Sequence, residues 1–187
     1  MTTETRLWFV RHGPTHARRM VGWTDLPADL SDAAKIARLD AALPHAPVVS
    51  SDLIRAVATA DAVAGDRPRL AADRDLREFH YGDWEDRSIA DLPEAETRPY
   101  FETPGDIRAP GGESWNDVAA RVEAALARLP GGNVIVVCHF GVILTQWARA
   151  TGLAPHAALA QPLGNLGLTR IDWTDSGPVP VFADRHP

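Results

Sequence analysis

Among 187 residues the sequence holds one cysteine, Cys138. A lone thiol excludes an internal disulfide and a cysteine-built zinc or iron–sulfur site. Lysine is equally scarce. Lys35 is the only one, so every other member of the 19 basic residues is arginine, and on the surface this bias reads simply as genomic base composition. No stretch approaches the roughly 18 apolar residues of a membrane helix. The opening MTTETRLWFV lacks the apolar region and small-residue cleavage site of a signal peptide, which predicts a cytoplasmic protein. Positive charge is in deficit: a net −6 and a pI near 5.6 argue against nucleic acid or an anionic membrane as a general partner. An anionic ligand must therefore be held locally. Repeats and low-complexity tracts are absent, and nothing in the sequence fixes an oligomeric state.

What is present is ordinary globular composition, 45% apolar and 24% charged, at a length that fits one domain over residues 1–187. Short β-rich runs alternate with longer periodic ones, the pattern of βαβ units around a largely parallel sheet. Strands are expected at Leu7 to Val10, Val48 to Ser50, Arg69 to Ala72, Val134 to Cys138, Leu166 to Ile171 and Val179 to Phe182. Helices are expected at Asp32 to Leu43 behind Ser31 as N-cap, after Ser51 as far as Gly65, after Ser114 as far as Pro130, and from Phe140 to Ala150. The stretch from Asp86 to Gly112 is rich in Pro, Gly and acids, and reads as a short lid over the sheet edge with one helix near Ile89 to Thr97.

Four places put ionisable groups where strands end or helices begin. His12 follows LWFVR, Arg55 lies early in the helix after Ser51, Glu78 follows the expected third strand in DLREFHYGDWE, and His139 ends NVIVVCHFG. In a parallel sheet these ends share one rim, the edge at which open α/β sheets bind ligands. Two histidines, arginines and a carboxyl group brought together suit phosphoryl transfer, which needs chiefly positioning and positive charge around the phosphoryl oxygens. Arginine's planar fork meets two such oxygens at once. An imidazole tied through one nitrogen to a backbone carbonyl leaves the other lone pair free to attack phosphorus, and a single carboxyl group can protonate the leaving alcohol and then deprotonate water.

VRHGPT resembles the Arg-His-Gly signature of the histidine phosphatase superfamily in its phosphoglycerate-mutase-like branch. The resemblance continues in order through GWTDLPADLS, SSDLIRAVATA, LREFHYGDWE, PGGESWNDVAARV, VVCHFGVI and NLGLTRIDW. It implies an α/β fold, a three-layer α/β/α sandwich with a mostly parallel central sheet and a short lid insertion. It also implies a metal-independent phosphomonoesterase acting on a small phosphorylated metabolite, with no organic cofactor. By the same resemblance His12 is the phosphorylated nucleophile, Arg11, Arg55 and His139 form the phosphate pocket, and Glu78 is the proton donor and acceptor. Thr15, Arg18 and Gly22 are the matching candidates for substrate contact. The sequence departs from the family pattern at Pro14, where Glu is frequent, at Arg18 in the Asn position, at Asp86 in place of Gly and at Leu144 in place of Arg.

Other readings compete at several of these positions. His12 and His16 have the i, i+4 spacing of a metal pair, but Gly13 and Pro14 break the helix that spacing needs. Cys138 and His139 are neighbours whose side chains point to opposite faces of a strand, which assigns Cys138 to packing. Glu85 rivals Glu78 as the acid, Glu113 reads as a structural carboxylate at a helix start, and Arg18 and Arg19 either meet a second anionic group or face solvent. Trp23 and Trp84 flank the expected mouth. At the level of activity, a phosphoglycerate mutase and a non-catalytic phosphate-binding protein are the alternatives to a phosphatase. The short insertion, with only Arg87, Arg98 and Arg108 as basic residues, favours hydrolysis.

Overall fold

Alternating apolar side chains in β1 (Thr5–Arg11) face two separate cores. The computed structural model describes residues 4–187, so the first three residues of MTTETRLWFV lie outside it. Leu7 and Phe9 join Val134, Val136 and Cys138 of β3 (Gly132–Cys138) on one face. Val10 joins Ile135 and Val137 of β3 and Val48 of β2 (Val48–Ser50) on the other. A strand with both faces covered has to be apolar throughout, which is why VIVVC shows no polar alternation.

Helices α1 (Ala33–Ala42) and α2 (Ile54–Ala64) cover the second face through Leu39, Ala56, Ala60 and Val63. Helices α4 (Trp115–Leu126) and α5 (Phe140–Thr151) cover the first through Val118, Val122, Val142 and Ile143. Between α2 and α4 lies α3 (Glu94–Glu102), and a four-residue α6 (Pro155–Ala158) precedes β4 (Leu168–Thr174) and β5 (Gly177–Arg185). The sheet order is β2-β3-β1-β4-β5, with parallel pairing among the first three and antiparallel pairing on either side of β4. Four of the five strands thus share a direction, and the three-layer, mostly parallel sandwich is the observed architecture. No helix among the described residues is long and apolar enough to cross a membrane.

The structure corrects several local expectations. Arg69 to Ala72 is no strand. Only Arg69 bridges Val48, and Ala71 and Ala72 are exposed with no second strand to pair against. Glu78 therefore follows a loop rather than a third strand. Asp32, not Ser31, caps α1, its Oδ1 accepting from Lys35 N at 2.9 Å. At α2, Ser51 lies before the start and Asp25 from a distant loop accepts from Ile54 N at 2.8 Å. Ser114 does cap α4, in a reciprocal box with Asp117, but that helix ends at Leu126. The lid helix starts after Pro93, and a 3-10 turn occupies Ile89–Asp91. Positive φ at Leu166 delays β4 to Leu168. Trp84 is 1% exposed and belongs to the core, not the mouth.

Candidate active site

The rim is built where β1, β2 and β3 end together. His12 N donates to Cys138 O at 3.0 Å, and Ser51 N to Val137 O at 3.1 Å, so the residues leaving these strands start from fixed points. The carbonyl of His12 accepts from Asn165 Nδ2 at 2.8 Å, and the Gly13 amide donates to Thr59 Oγ1 at 3.0 Å. Within this frame the His12 ring bonds the Gly13 carbonyl through Nδ1 at 2.6 Å. A carbonyl only accepts, so Nδ1 carries the proton and Nε2 keeps a free lone pair.

Beside it the His139 ring centroid lies 5.1 Å away at 59°. His139 is fully buried, with neither ring nitrogen bonded to another protein atom. Buried nitrogens normally find a partner, so this pair is an acceptor or donor site held ready beside His12. Burial first, then the neighbouring Arg55, push the His12 imidazole from 6.5 down to about 3, against the opposing pull of its bond to Gly13. Burial first, then competition with His12 for a proton and the charges of Arg55, Arg121 and Arg11, likewise hold His139 well below the usual imidazole range. Both rings are thus neutral bases at neutral pH.

A hollow of about 150 Å³ opens here, and its wall includes Arg11, His12, Thr15, Arg55 and Glu78. Arg55 is 1% exposed and is anchored by donating to Thr24 O at 3.0 Å and Gly22 O at 2.5 Å. Arg11 donates to Leu163 O at 2.5 Å and lies 5.3 Å over the Phe140 ring, while its buried Nε has no partner. Burial lowers the affinity of both guanidiniums for their protons, yet arginine stays charged in proteins. Two fixed cations with unspent donors make this hollow anion-seeking.

The carboxyl group of Glu78 closes the wall. It accepts from Phe79 N at 3.0 Å and from Gly141 N, at the start of α5, at 3.1 and 3.2 Å. Burial raises its proton affinity above the ordinary carboxyl range, outweighing the downward pull of those amides and of Arg55 and Arg11. A carboxyl group whose proton affinity is raised in this way is suited to donate a proton.

Not every expected residue reaches the hollow. His139 is 0% exposed and packs against His12 without forming part of the hollow's wall. Arg18 lies outside it, exposed at the rim of an adjoining cleft and paired with no carboxylate, whereas Arg19 bonds Asp86 Oδ2 at 3.1 Å. Gly22 is placed as support instead of contact: its amide donates to Glu85, its carbonyl holds Arg55, and a Cβ there would meet Phe79 O at 1.9 Å. Glu85 accepts from the amides of Gly22, Trp23, Thr24 and Tyr81 and from Thr24 Oγ1, which outweigh its burial and hold it ionised. That leaves it no capacity as an acid. His16 bonds Asp29 Oδ2 at 2.8 Å, on the surface and away from His12.

Two supporting residues, Gly141 and Arg121, escaped the sequence reading, and a third, Trp23, was expected only to flank the mouth. Trp23 donates through Nε1 to Glu78 O at 2.8 Å. Gly141 admits the Glu78 carboxylate: a Cβ there would lie 2.4 Å from its Oε1. Arg121 donates to the carbonyls of Asp75, Arg77 and Glu78 and forms a two-point pair with Glu113, whose Oε2 also accepts from His80 N. Glu113 is therefore structural as expected, but it serves Arg121 and the Glu78 loop, not the helix start. Gly141 was visible only as the Gly of HFG, and no local spacing links Arg121 to Glu78.

The family model for the histidine phosphatase superfamily (branch 1) matches residues 7–184. The chain is 32% identical over 185 residues to the Probable phosphoglycerate mutase GpmB of Salmonella paratyphi C, covering 91% of this chain and 86% of that one. Among solved structures it resembles YhfR of Bacillus stearothermophilus at 28% identity and a TM-score of 0.82, covering 95% of each chain. It also resembles the alpha-ribazole phosphatase of Shigella flexneri at 25% identity and a TM-score of 0.80, over 97% of this chain and 96% of that one.

Proposed function

Since the chain belongs to the histidine phosphatase superfamily (branch 1), we propose that it hydrolyses phosphomonoesters of small metabolites through a phosphohistidine on His12. The observation that carries this reading is the His12 ring itself, neutral, tied by Nδ1 to Gly13 O at 2.6 Å, and presenting Nε2 to a hollow with two buried arginines. Arg11 and Arg55 hold the phosphoryl oxygens, supplying the charge stabilisation that a divalent ion supplies elsewhere. His139, buried with its ring 5.1 Å from that of His12, is the further candidate to meet that group once it is bound.

In the first half-reaction the Nε2–P bond forms as the bond from phosphorus to the alcohol oxygen breaks, and Glu78 passes its proton to that oxygen. In the second, water attacks phosphorus, the N–P bond breaks, and Glu78 takes the water's proton. Phosphate leaves with Glu78 and His12 restored, so one carboxyl group serves both directions.

The identity to a phosphoglycerate mutase gives a second reading, in which the phosphoryl group returns to a bound acid. Against it stands the lid, whose three arginines are all engaged away from the hollow. Arg87 donates to Asp91 O, Arg98 pairs with Glu102 and Arg108 with Asp117, which leaves the lid no cation for a substrate carboxylate. The test is incubation with 4-nitrophenyl phosphate and with 3-phosphoglycerate in EDTA. Release of inorganic phosphate, abolished with acid-labile labelling in His12→Ala, is expected. Isomerisation of 3-phosphoglycerate without phosphate release would replace hydrolysis by the mutase reading, and strict need for an added divalent ion would refute the mechanism.

A further inference from the structure

Glu78 stands at the junction of two spaces. The anion hollow shares Arg11, Arg19, Val21 and Glu78 with an outer cleft of about 380 Å³. Its middle is apolar. Val21, Tyr81, Ile89, Phe101 and Phe140 line it, and Tyr81, Phe101 and Phe140 also line a smaller apolar recess of about 80 Å³ together with Trp115 and Leu159. Of its charged residues, Arg11, Arg19 and Glu78 also line the hollow, Arg19 pairing with Asp86, and Arg18 is exposed and paired with no carboxylate. Among the described residues, the only uncharged polar side chains lining it are Tyr81 and Ser88.

Resting on the phosphatase reading, we propose that this cleft is the leaving-group subsite and that the substrate is the phosphomonoester of an alcohol with a flat or branched apolar body, not of a polyol. A sugar or glycerate would set several hydroxyls against Phe101, Phe140 and Ile89, where few protein groups replace their bonds to water. An aromatic or aliphatic body meets ring faces and gains from its own desolvation. Ile89 is 58% exposed in the free protein, an aliphatic side chain on the lid that such a body would cover.

The test compares benzyl phosphate with glycerol 1-phosphate, two alkyl esters with leaving groups of similar basicity, so that a difference in rate reflects the cleft and not intrinsic reactivity. Benzyl phosphate is expected to have the higher kcat/KM by about 10- to 200-fold, the range that apolar pockets discriminate. Phe101→Ala should collapse that ratio and leave product inhibition by inorganic phosphate unchanged, because the hollow is untouched. Ile89→Asp, at a position 58% exposed, should lower the ratio in the same sense. Equal turnover of the two esters, or equal loss for both in the two variants, overturns the assignment and leaves the phosphatase reading standing. No release from either ester, together with no inhibition of labelling by inorganic phosphate, would instead remove the phosphatase reading and this subsite with it.

Discussion

Replacing Gly141 by alanine tests how closely the Glu78 carboxyl is held. The added Cβ would lie 2.4 Å from Glu78 Oε1 and 2.4 and 2.5 Å from two ring atoms of Phe79. Ordinary carbon contacts begin near 3.4 Å, so the carboxyl and the ring must retreat by about 1 Å, a displacement that costs on the order of 10²-fold in rate when it moves a reacting group. Retreat also stretches the bonds from the Gly141 amide, now 3.1 and 3.2 Å, so Glu78 loses the donors that orient it. A kcat loss of about 10² corresponds to roughly 3 kcal/mol of transition-state stabilisation. Overpacking of this kind costs about 1–3 kcal/mol of stability, a fall in Tm of roughly 2–10 °C at this chain length. The assay is steady-state hydrolysis of 4-nitrophenyl phosphate at 25 °C, with Tm measured by circular dichroism on the same samples. Gly105→Ala is the control, since a Cβ there meets nothing within 4 Å. If Gly141→Ala keeps kcat within about threefold of the parent while the control behaves normally, Glu78 does not act from its observed position and the proton-transfer assignment fails.

Further outcomes follow from the same geometry. Glu78→Gln should lower kcat by about 10²–10⁴ and still bind inorganic phosphate, whereas Glu85→Gln, which weakens four hydrogen bonds of the Gly22 turn and one from Tyr81 N, should register mainly as a lower Tm; a dead Glu85→Gln beside an active Glu78→Gln would reverse the two roles. Because His12 falls from 6.5 to about 3 on folding, the unfolded chain takes up a proton that the native ring refuses. Stability should therefore decline as pH drops through that window, by an amount on the order of a few kcal/mol. Urea titrations should show His12→Gln flattening the decline, and an unchanged slope would mean the ring is not held neutral. Glu78 acts in the opposite sense, its contribution being largest in acid and lost as pH rises through its raised native value. Arg121→Met leaves Glu113 unpaired where the two side chains are only 15% and 18% exposed, which should cost about 3–5 kcal/mol of stability. In the double variant with Glu113→Gln part of that stability should return while kcat stays low and its acid–base profile stays shifted, since the carbonyls of Asp75, Arg77 and Glu78 still lack their donor; a normal profile in the double variant would make Arg121 structural only.

The sequence alone determined the layers and the residues at the rim. Continuous apolar runs such as VIVVC can exist only in strands covered on both faces, and such strands end where His12 and His139 stand. Ser114 was legible as a cap because capping acts within one turn, and Asp117 completes it three residues away. Tertiary structure decided what depends on groups distant in the chain. Asp25 caps α2 across 29 positions, Glu85 folds the Gly22 turn across more than 60, and Glu78 meets the Gly141 amide across 63. Arg69 to Ala72 looks like a strand by residue type, but strand identity requires continued pairing, and this segment pairs with the edge strand β2 only at Arg69, through the bridge to Val48. Proton affinities belong to the same class. Nothing local in RHG or LREF shifts these proton affinities; burial does, reinforced by Arg55 at His12 and opposed by Arg55 and Arg11 at Glu78, and burial is a property of the assembled chain.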